Sequence, residues 1–380
     1  MKNYTLPLFI IFLSFLGCEP KIPVIQLDAT TNQLFDPCGE KIILRGVNKM
    51  VIFDNIDPSG DNNFKEIAKT KANCVRIAWG TARPNLIKTT SVELDSVLTK
   101  CSRNKLIPII GLWDYTDDED GGFSKLNLYV DFWTNPEIVK VLNKHQGHLI
   151  INIGNECADV LNEENLEDFD LKTAAFVAGY SLAIDKIRKV GIICPLMIDG
   201  LDRGKSLNCF TYKRMGQSKK VADELLDSDV NRNLIFSVHT YWPRNSGATE
   251  DFITQIFQKA INAKIPFVVG ELTKFGAGGN PSTMCGMEGE INYQKIAQIC
   301  QANEIGWMAW EWGPGNSFGG NGCEVIDMTI DSKFSSLKGW GKDLVENSEY
   351  GLLAKSKINR WASFDFIACP NTPEIRKTKQ

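Results

Sequence analysis

Hydrophobic and polar positions alternate along the chain between short apolar runs and longer amphipathic segments. The segments that begin at Ser91 and Ile291 carry apolar residues three and four positions apart, which is typical of helices packed on one face. The runs between such segments are almost continuously apolar, which is typical of parallel strands covered on both faces. These runs are IILRGVN from Ile42, NCVRIAW from Asn73, LIPIIGLW from Leu106, LIINIGNE from Leu149, CPLMIDG from Cys194, LIFSVHTYW from Leu234, PFVVGEL from Pro266 and IGWMAWEW from Ile305.

Eight strand-and-helix units predict an α/β fold, a closed (β/α)8 TIM barrel with its chemistry at the carboxyl ends of the strands. A doubly wound open sheet is the alternative, but it would need a phosphate-cradling glycine loop after an early strand, and the sequence has none. Val24 to Leu44, with the turn residues Asp36-Pro37-Cys38-Gly39, predicts a small N-terminal β-hairpin that covers the bottom of the barrel.

The first residues have the pattern of a secretory signal, in which Lys2 precedes an apolar run, Leu6 to Leu16, too short to span a bilayer. Gly17 and Cys18 then resemble the end of a bacterial lipoprotein signal, so Cys18 is the predicted lipid anchor; plain secretion is the alternative. The predicted organisation is a signal peptide (1–17), a tether (18–23), one catalytic domain (24–369) and a polar tail (370–380). The protein is expected outside the cytoplasm, secreted or attached to a membrane only through the lipid.

A formal net charge of −4 argues against a nucleic-acid partner, because such proteins normally carry a basic patch. The sequence shows no coenzyme motif, so we expect no cofactor, and we expect a monomer. The 11 cysteines include two candidate disulfides, Cys38 with Cys369 and Cys285 with Cys323, and small core residues such as Cys74 and Cys300.

Two of the predicted strands end in a glutamate: the fourth closes with Asn155-Glu156 and the seventh with Glu271. A carboxyl group at the end of a buried strand needs a partner or a use, because burying it alone costs free energy. The other strand ends are also polar or aromatic: Asn48, Arg76, Trp79, Trp113, Asp114, Asp199, His239, Tyr241, Trp242, Trp310 and Glu311.

Tryptophan is frequent near these strand ends. Indole faces pack well on the apolar faces of sugar rings, although each ring can instead fill the upper layer of the barrel. Asp199 has two open roles, a contact with substrate or the closing of a turn. The tryptophans concerned are Trp79, Trp113, Trp242, Trp310 and Trp312.

Two glutamates at a barrel mouth predict retaining glycoside hydrolysis, which needs an acid and a carboxylate nucleophile about 5–5.5 Å apart. Arg76 would keep one glutamate ionised through its positive charge, and Tyr241 would donate a hydrogen bond to the same carboxylate. The other glutamate, next to that negative charge, would hold its proton and act as the acid.

The sequence resembles glycoside hydrolase family 5, which contains many cellulases and β-mannanases, over nearly the whole mature chain. The resemblance is carried by LRGVN at 44–48, NCVR at 73–76, GNE at 154–156, VHTY at 238–241, GE at 270–271 and WMAWEWGPGN at 307–316. It implies that Glu156 is the acid/base and Glu271 the nucleophile. The other implied roles are a 2-hydroxyl contact for Asn155, a sugar platform for Trp310, and orientation of the carboxylates by Arg76, His239 and Tyr241.

Two residues depart from the pattern of that family. Trp113 stands where the third strand usually ends in a substrate-contacting histidine, so Trp113 is the predicted contact there. Glu311 replaces a residue that is usually small in the mannanase-like branch, to which the motifs look closest. The expected activity is cleavage of β-1,4-linked polysaccharide of mannan or glucan type.

Two other classes of function stay open. A catalytically weak carbohydrate-binding lipoprotein would use the same fold, and the change at Trp113 motivates that hypothesis. A metal-dependent barrel hydrolase would need clustered histidines. His145 and His148 have the spacing of a metal pair, but they precede the fourth strand and lack further ligands, so no metal is predicted.

Overall fold

A computed structural model describes residues 23–28, 30–54, 56–82, 88–114, 116, 123–157, 163–276, 289–314 and 323–358. The predicted signal peptide, Cys18, most of the tether and the polar tail lie outside these residues, so these remain predictions. Within the described residues, no helix combines the length and apolar character needed to cross a membrane.

A small antiparallel sheet precedes the barrel. In the described chain it consists of β1 (Gln26–Asp28), β2 (Gln33–Phe35) and β3 (Lys41–Ile42), in that order. The predicted hairpin is present, and the Asp36 carboxylate accepts hydrogen bonds from the backbone of the β2–β3 turn. Ile25 and Leu34 pack on the inner apolar side chains at the start of the barrel strands, so the sheet covers the bottom as predicted.

Eight parallel strands of the described region then close into a barrel. Seven of them lie within the stretches that the apolar pattern predicts, the first extends one residue further to Lys49, and the last pairs with the first. The predicted (β/α)8 TIM barrel is therefore confirmed. The strands are β4 (Arg45–Lys49), β5 (Cys74–Trp79), β6 (Ile107–Leu112), β7 (Ile150–Asn152), β8 (Leu196–Asp199), β9 (Leu234–His239), β10 (Phe267–Leu272) and β11 (Gly306–Ala309).

Helices connect these strands on the outside. The two helices predicted from Ser91 and Ile291 are present as α2 and α9, and α2 begins at a capping box between Thr90 and Glu93. The described helices are α1 (Asn63–Ala68), α2 (Ser91–Arg103), α3 (Phe123–Trp133), α4 (Pro136–His145), α5 (Leu166–Lys189), α6 (Asn208–Thr211), α7 (Val221–Ser228), α8 (Glu250–Asn262), α9 (Tyr293–Ala302), α10 (Gly339–Glu346) and α11 (Leu352–Lys355), with short 3₁₀ turns at Arg244–Ser246, Cys323–Ile326 and Phe334–Ser336.

Strand geometry divides the core into two parts. Alternate residues such as Val75 and Ile77 point outward and pack beneath the helices, while Cys74 belongs to the apolar cluster at the bottom of the barrel interior. One pleat further along β5, the inward position is Arg76. The interior thus changes from apolar at the bottom to charged at the carboxyl ends of the strands, which places the candidate site there.

The cysteine predictions are confirmed in part. Cys74 and Cys300 are free and buried, as expected of small core residues. Cys38 is disulfide-bonded. Cys285, Cys369 and the side chain of Cys323 lie outside the described residues, so both proposed pairings remain predictions.

Candidate active site

Arg76 lies at the centre of the barrel mouth with no exposed surface. It donates to an Oε1 atom of Glu271 at 2.7 Å and to the Oδ1 atom of Asn155 at 2.6 Å. A further hydrogen bond of 3.0 Å reaches Asn48. The charge that the sequence predicts beside one glutamate is therefore present, and that glutamate is Glu271.

Glu271 lies near the end of β10, where the register against both neighbouring strands shifts. Such a shift re-aims a side chain, and here the carboxylate meets Arg76 on one oxygen and Tyr241 on the other. The Tyr241 hydroxyl donates to Oε2 at 2.6 Å. Burial and then the negative charge of Glu271 raise the pKa of Tyr241 well above its ordinary value, so the hydroxyl keeps the proton that it donates.

Glu156 is positioned differently. β7 ends at Asn152, so Glu156 lies beyond the strand, in the left-handed region with a φ of 48°. Its side chain is 11% exposed, against 2% for Glu271. Its Oε1 atom lies 2.7 Å from Nδ1 of His239. One carboxylate oxygen of each glutamate and a ring nitrogen of His239 all lie within 4.8 Å of one another.

His239 is fully buried among carboxylates. Burial alone would lower the pKa of His239, but the negative charges of Glu271 and Asp199 outweigh it and raise that pKa to about 10. A charged His239 and Arg76 balance the carboxylates of Glu271 and Asp199. Glu156 contributes to the raised pKa of His239 through its contact with Nδ1.

Asn152 is a site residue that sequence reasoning missed. Its Oδ1 atom accepts two hydrogen bonds from Arg76, at 2.7 Å from Nη2 and 3.1 Å from Nε, and its Nδ2 atom donates to Asp199. The signal was a single amide inside the apolar run LIINIG, at a strand position that the pleat turns toward the barrel interior. A buried amide of this kind needs polar partners, and those partners mark the mouth.

Comparison with known proteins identifies the family of the chain. The family model described as Cellulase (glycosyl hydrolase family 5) matches residues 35–316. The chain belongs to glycosyl hydrolase family 5. It is accordingly an O-glycosyl hydrolase, and the resemblance that its motifs suggested is confirmed.

The curated relatives of this family 5 hydrolase include mannanases. It is 26% identical over 320 residues to the mannan endo-1,4-beta-mannosidase of Streptomyces lividans. The aligned region covers 84% of this chain and 73% of that protein. It is 25% identical over 345 residues to that of Salipaludibacillus agaradhaerens, covering 90% and 97% respectively. The mannotriose complex of the Thermomonospora fusca beta-mannanase has a TM-score of 0.71 at 24% identity, over 88% of this chain and 98% of that one, which supports the fold.

The strand-end tryptophans of the family 5 hydrolase separate into two groups. Trp79 and Trp312 have no exposed surface and fill the layer between barrel and helices, as does Trp242. Trp113 and Trp310 instead stack on each other, with ring centroids 4.8 Å apart and planes 8° apart. The alternative of core packing therefore holds for the first group, and the second forms an aromatic wall of the mouth.

This wall has one accessible ring. Trp310 is only 4% exposed, whereas Trp113 is partly exposed. The centroid of the Trp113 ring lies 5.2 Å from the Arg76 guanidinium carbon. Trp113 is therefore the more accessible ring of the wall, and its predicted contact with substrate stays a prediction. The role of Trp310 as a sugar platform stays a prediction.

Glu311 adds a third carboxyl to the mouth of the family 5 hydrolase. It follows Trp310 and has no exposed surface. Burial raises the pKa of Glu311 to about 8, although the charge of nearby Lys49 opposes the shift. Lys49 itself forms a buried ion pair of 2.7 Å with Asp54. Glu311 is thus neutral near neutral pH.

The two histidines considered as metal ligands lie away from Glu156 and Glu271. His145 ends α4, before β7, and its Nε2 atom lies 2.6 Å from an Asp95 carboxylate oxygen. Its ring packs edge-on against that of His148, with centroids 5.6 Å apart. Within the described residues, the group close enough to hold an ion is Glu156, His239 and Glu271, whose atoms already bond one another or Arg76. The absence of a metal stays a prediction.

Proposed function

We propose that this protein is a retaining endo-β-1,4-mannanase in which Glu271 is the nucleophile and Glu156 the acid/base. The single observation that carries the proposal is the approach of the two carboxylates to within 4.8 Å. Retaining enzymes hold their carboxyl groups about 5–5.5 Å apart, whereas inverting enzymes leave about 6.5–9.5 Å for a water molecule. A two-glutamate pair at this spacing suits attack by one carboxylate on the sugar itself.

The environments of the two glutamates favour this assignment of roles. Glu271 receives hydrogen bonds from Arg76 and Tyr241, and both stabilise the ionised form that a nucleophile needs. Glu156 faces that negative charge and is the more exposed of the two, as an acid that must reach the leaving oxygen should be. In the first step Glu156 donates its proton to the glycosidic oxygen while Glu271 bonds to the anomeric carbon.

The second step reverses these roles. Once Glu271 is esterified, its negative charge is gone, so the pKa of Glu156 falls and its carboxylate can act as a base. It then takes a proton from water, which attacks the anomeric carbon and releases Glu271. The sugar leaves with its original configuration.

The choice of mannan over glucan rests on the relatives. Both curated relatives described above are named mannan endo-1,4-beta-mannosidases, and their alignments span most of this chain. Asn155 is the side chain proposed to read the 2-hydroxyl, the position at which mannose and glucose differ. Arg76 holds its oxygen, and its Nδ2 atom donates to Thr116 at 2.9 Å. One amide hydrogen therefore remains for a sugar hydroxyl.

The test is reducing-sugar release from a panel of mannans, β-glucans, xylan and chitosan by protein that begins after Cys18. We expect release from mannan, reduced at least about 1,000-fold in both Glu156→Gln and Glu271→Gln, because each removes an acid, base or nucleophile. Glu346→Gln, an exposed carboxylate-to-amide change on α10, is the matched control and should retain full activity.

Other results would change the proposal. Release from β-glucan alone would move the substrate to the glucan type while leaving the mechanism in place. Activity that survives either substitution would contradict the two-glutamate assignment. No release from any polymer together with retained binding to one would favour the carbohydrate-binding hypothesis instead.

A further inference from the structure

Asp199 ends β8 with no exposed surface. Its two carboxylate oxygens accept hydrogen bonds from Arg76, Asn152 and the backbone of Glu156, so a contact with substrate does not describe its role. Closing a turn does not describe it either, because its carboxylate bonds to groups on other strands. Those groups include the backbone of Glu156 and the Arg76 side chain, which also donates to Glu271.

Two contacts of Asp199 converge on Glu156. Its Oδ2 atom accepts a hydrogen bond of 3.1 Å from the backbone N–H of Glu156. Its Oδ1 atom lies 3.6 Å from Nε2 of His239, the ring whose other nitrogen lies 2.7 Å from the Glu156 carboxylate. Asp199 also accepts from Arg76 at 3.1 Å and from Asn152 at 3.2 Å, which fixes its own position.

The backbone of Glu156 needs such a support. Its φ of 48° is in the left-handed region, which is unfavourable for a residue other than glycine. Because β7 ends at Asn152, no strand ladder holds this residue in place. The hydrogen bond from its N–H to Asp199 ties this conformation to the neighbouring strand β8.

We propose that Asp199 is a positioning residue for the acid/base: its carboxylate holds the Glu156 backbone and lies beside the His239 ring that contacts the Glu156 carboxyl, so that Glu156 is presented to the leaving oxygen. This role rests on the proposed function of Glu156. The negative charge of Asp199 also raises the proton affinity of the Glu156–His239 pair as a whole. Removing that charge must lower the pH at which the pair loses its first proton.

The other charged and titratable groups around the pair set the size of this effect. Asp199 is one of several that the barrel strands bring to His239, and it has no exposed surface. Its charge therefore acts at close range with little screening by water. The remaining groups are Arg76 from β5, Tyr241 after β9, Glu271 from β10 and, through Tyr241, Glu311 after β11.

The variants Asp199→Asn and Asp199→Glu separate charge from position. Asparagine retains an acceptor oxygen for the Glu156 N–H but loses the charge, whereas glutamate retains the charge and displaces the acceptor. Asp229→Asn is the matched control, because Asp229 is an equally buried partner of an arginine, Arg188, that contacts neither glutamate.

Kinetics on mannan give the first readout. For Asp199→Asn we expect kcat to fall roughly 10- to 100-fold with little change in KM, since a charge-assisted hydrogen bond is lost away from the substrate. The alkaline limb of kcat/KM should move down by at least about one pH unit. Asp199→Glu should lose kcat without that shift, and Asp229→Asn should match the wild type in both.

Nitrogen-15 NMR of histidine-labelled protein gives a readout that needs no substrate, because the chain has only 3 histidines. In the wild type the His239 imidazole should stay charged above pH 8, and in Asp199→Asn it should titrate at least about one unit lower. A wild-type titration together with a wild-type pH profile in Asp199→Asn would overturn the proposal. If the wild type cleaves no polymer, the proposed function fails separately, and the titration still decides whether Asp199 controls His239.

Discussion

Two buried arginine–aspartate pairs lie at opposite ends of the same barrel, and their remaining hydrogen bonds go to different kinds of atom. Near the start of the strands, Arg188 donates two hydrogen bonds, of 2.8 and 2.9 Å, to the Asp229 carboxylate. Its other donors reach backbone carbonyls, and Asp229 accepts from the backbone N–H groups of Asn231 and Asn233. This pair ties loops together.

At the mouth, Arg76 and Asp199 share a single hydrogen bond of 3.1 Å. The other donors of Arg76 reach side chains, among them Glu271 and Asn155. Burial of a charged pair therefore does not by itself indicate function. The groups on which the remaining donors converge do, because at the mouth they include Glu271, the proposed nucleophile, and Asn155.

The largest effect is expected on the free energy of unfolding, for the pair of Arg188 and Asp229 near the start of the strands. Arg188→Gln leaves Asp229 buried without its charged partner, which should lower the free energy of unfolding by about 3–5 kcal/mol. Denaturant unfolding measures the loss. kcat and KM on mannan, measured where the variant is still folded, should equal the wild-type values. A large loss of kcat with unchanged stability would erase the distinction between the two pairs.

The second prediction concerns Glu311, a mouth carboxyl whose pKa burial raises to about 8. Between its ordinary pKa of 4.5 and 8, the folded protein keeps a proton that the unfolded chain releases. The free energy of unfolding must therefore fall as pH rises through this window, by up to about 1.4 kcal/mol per pH unit. Glu311→Gln removes this contribution, so its stability should gain on the wild type from pH 5 to pH 8. Parallel stability curves for the two proteins would contradict the shift.

The smallest effect is expected at the aromatic wall. Trp113→Ala removes the more accessible ring of the wall, and aromatic contacts of this kind are worth about 0.5–1.5 kcal/mol beyond area burial. We therefore expect KM to rise roughly 2- to 10-fold with a smaller change in kcat, and Trp113→Phe to retain most of the affinity. A lower KM in Trp113→Ala would show that the indole occupies space the sugar needs.

Much of this architecture could be predicted from the sequence, because it depends on the spacing of apolar residues and on the position of polar residues at strand ends. Continuous apolar runs predicted all eight barrel strands, and the end of a strand is where a parallel barrel gathers its chemistry. Glu156, Glu271, Arg76, His239 and Tyr241 were accordingly named from their place at strand ends, and the structure brings these five together.

Other features depend on how strands approach one another, which the pattern along one strand does not encode. The sequence left Asp199 undecided because its partners lie on β5, β7 and β9, not on β8. The N-terminal sheet has three strands where the sequence predicts a hairpin of two. The additional strand, Gln26–Asp28, forms by pairing with β2, and a pattern along one strand does not show such a pairing. The pattern along a strand also does not encode the direction in which a ring points. The five strand-end tryptophans therefore look alike in the sequence, although only Trp113 and Trp310 among them form the aromatic wall.

We expect the charged core of the mouth to make Glu271 the nucleophile of a retaining enzyme. An activated 2-deoxy-2-fluoro-β-mannoside slows release of the glycosyl-enzyme ester, and mass spectrometry of a digest then locates the modified residue. Covalent attachment should add one 2-fluoromannosyl group to the peptide that contains Glu271, and none in Glu271→Gln. A group found on Glu156, or hydrolysis of the probe with inversion and no adduct, would contradict it.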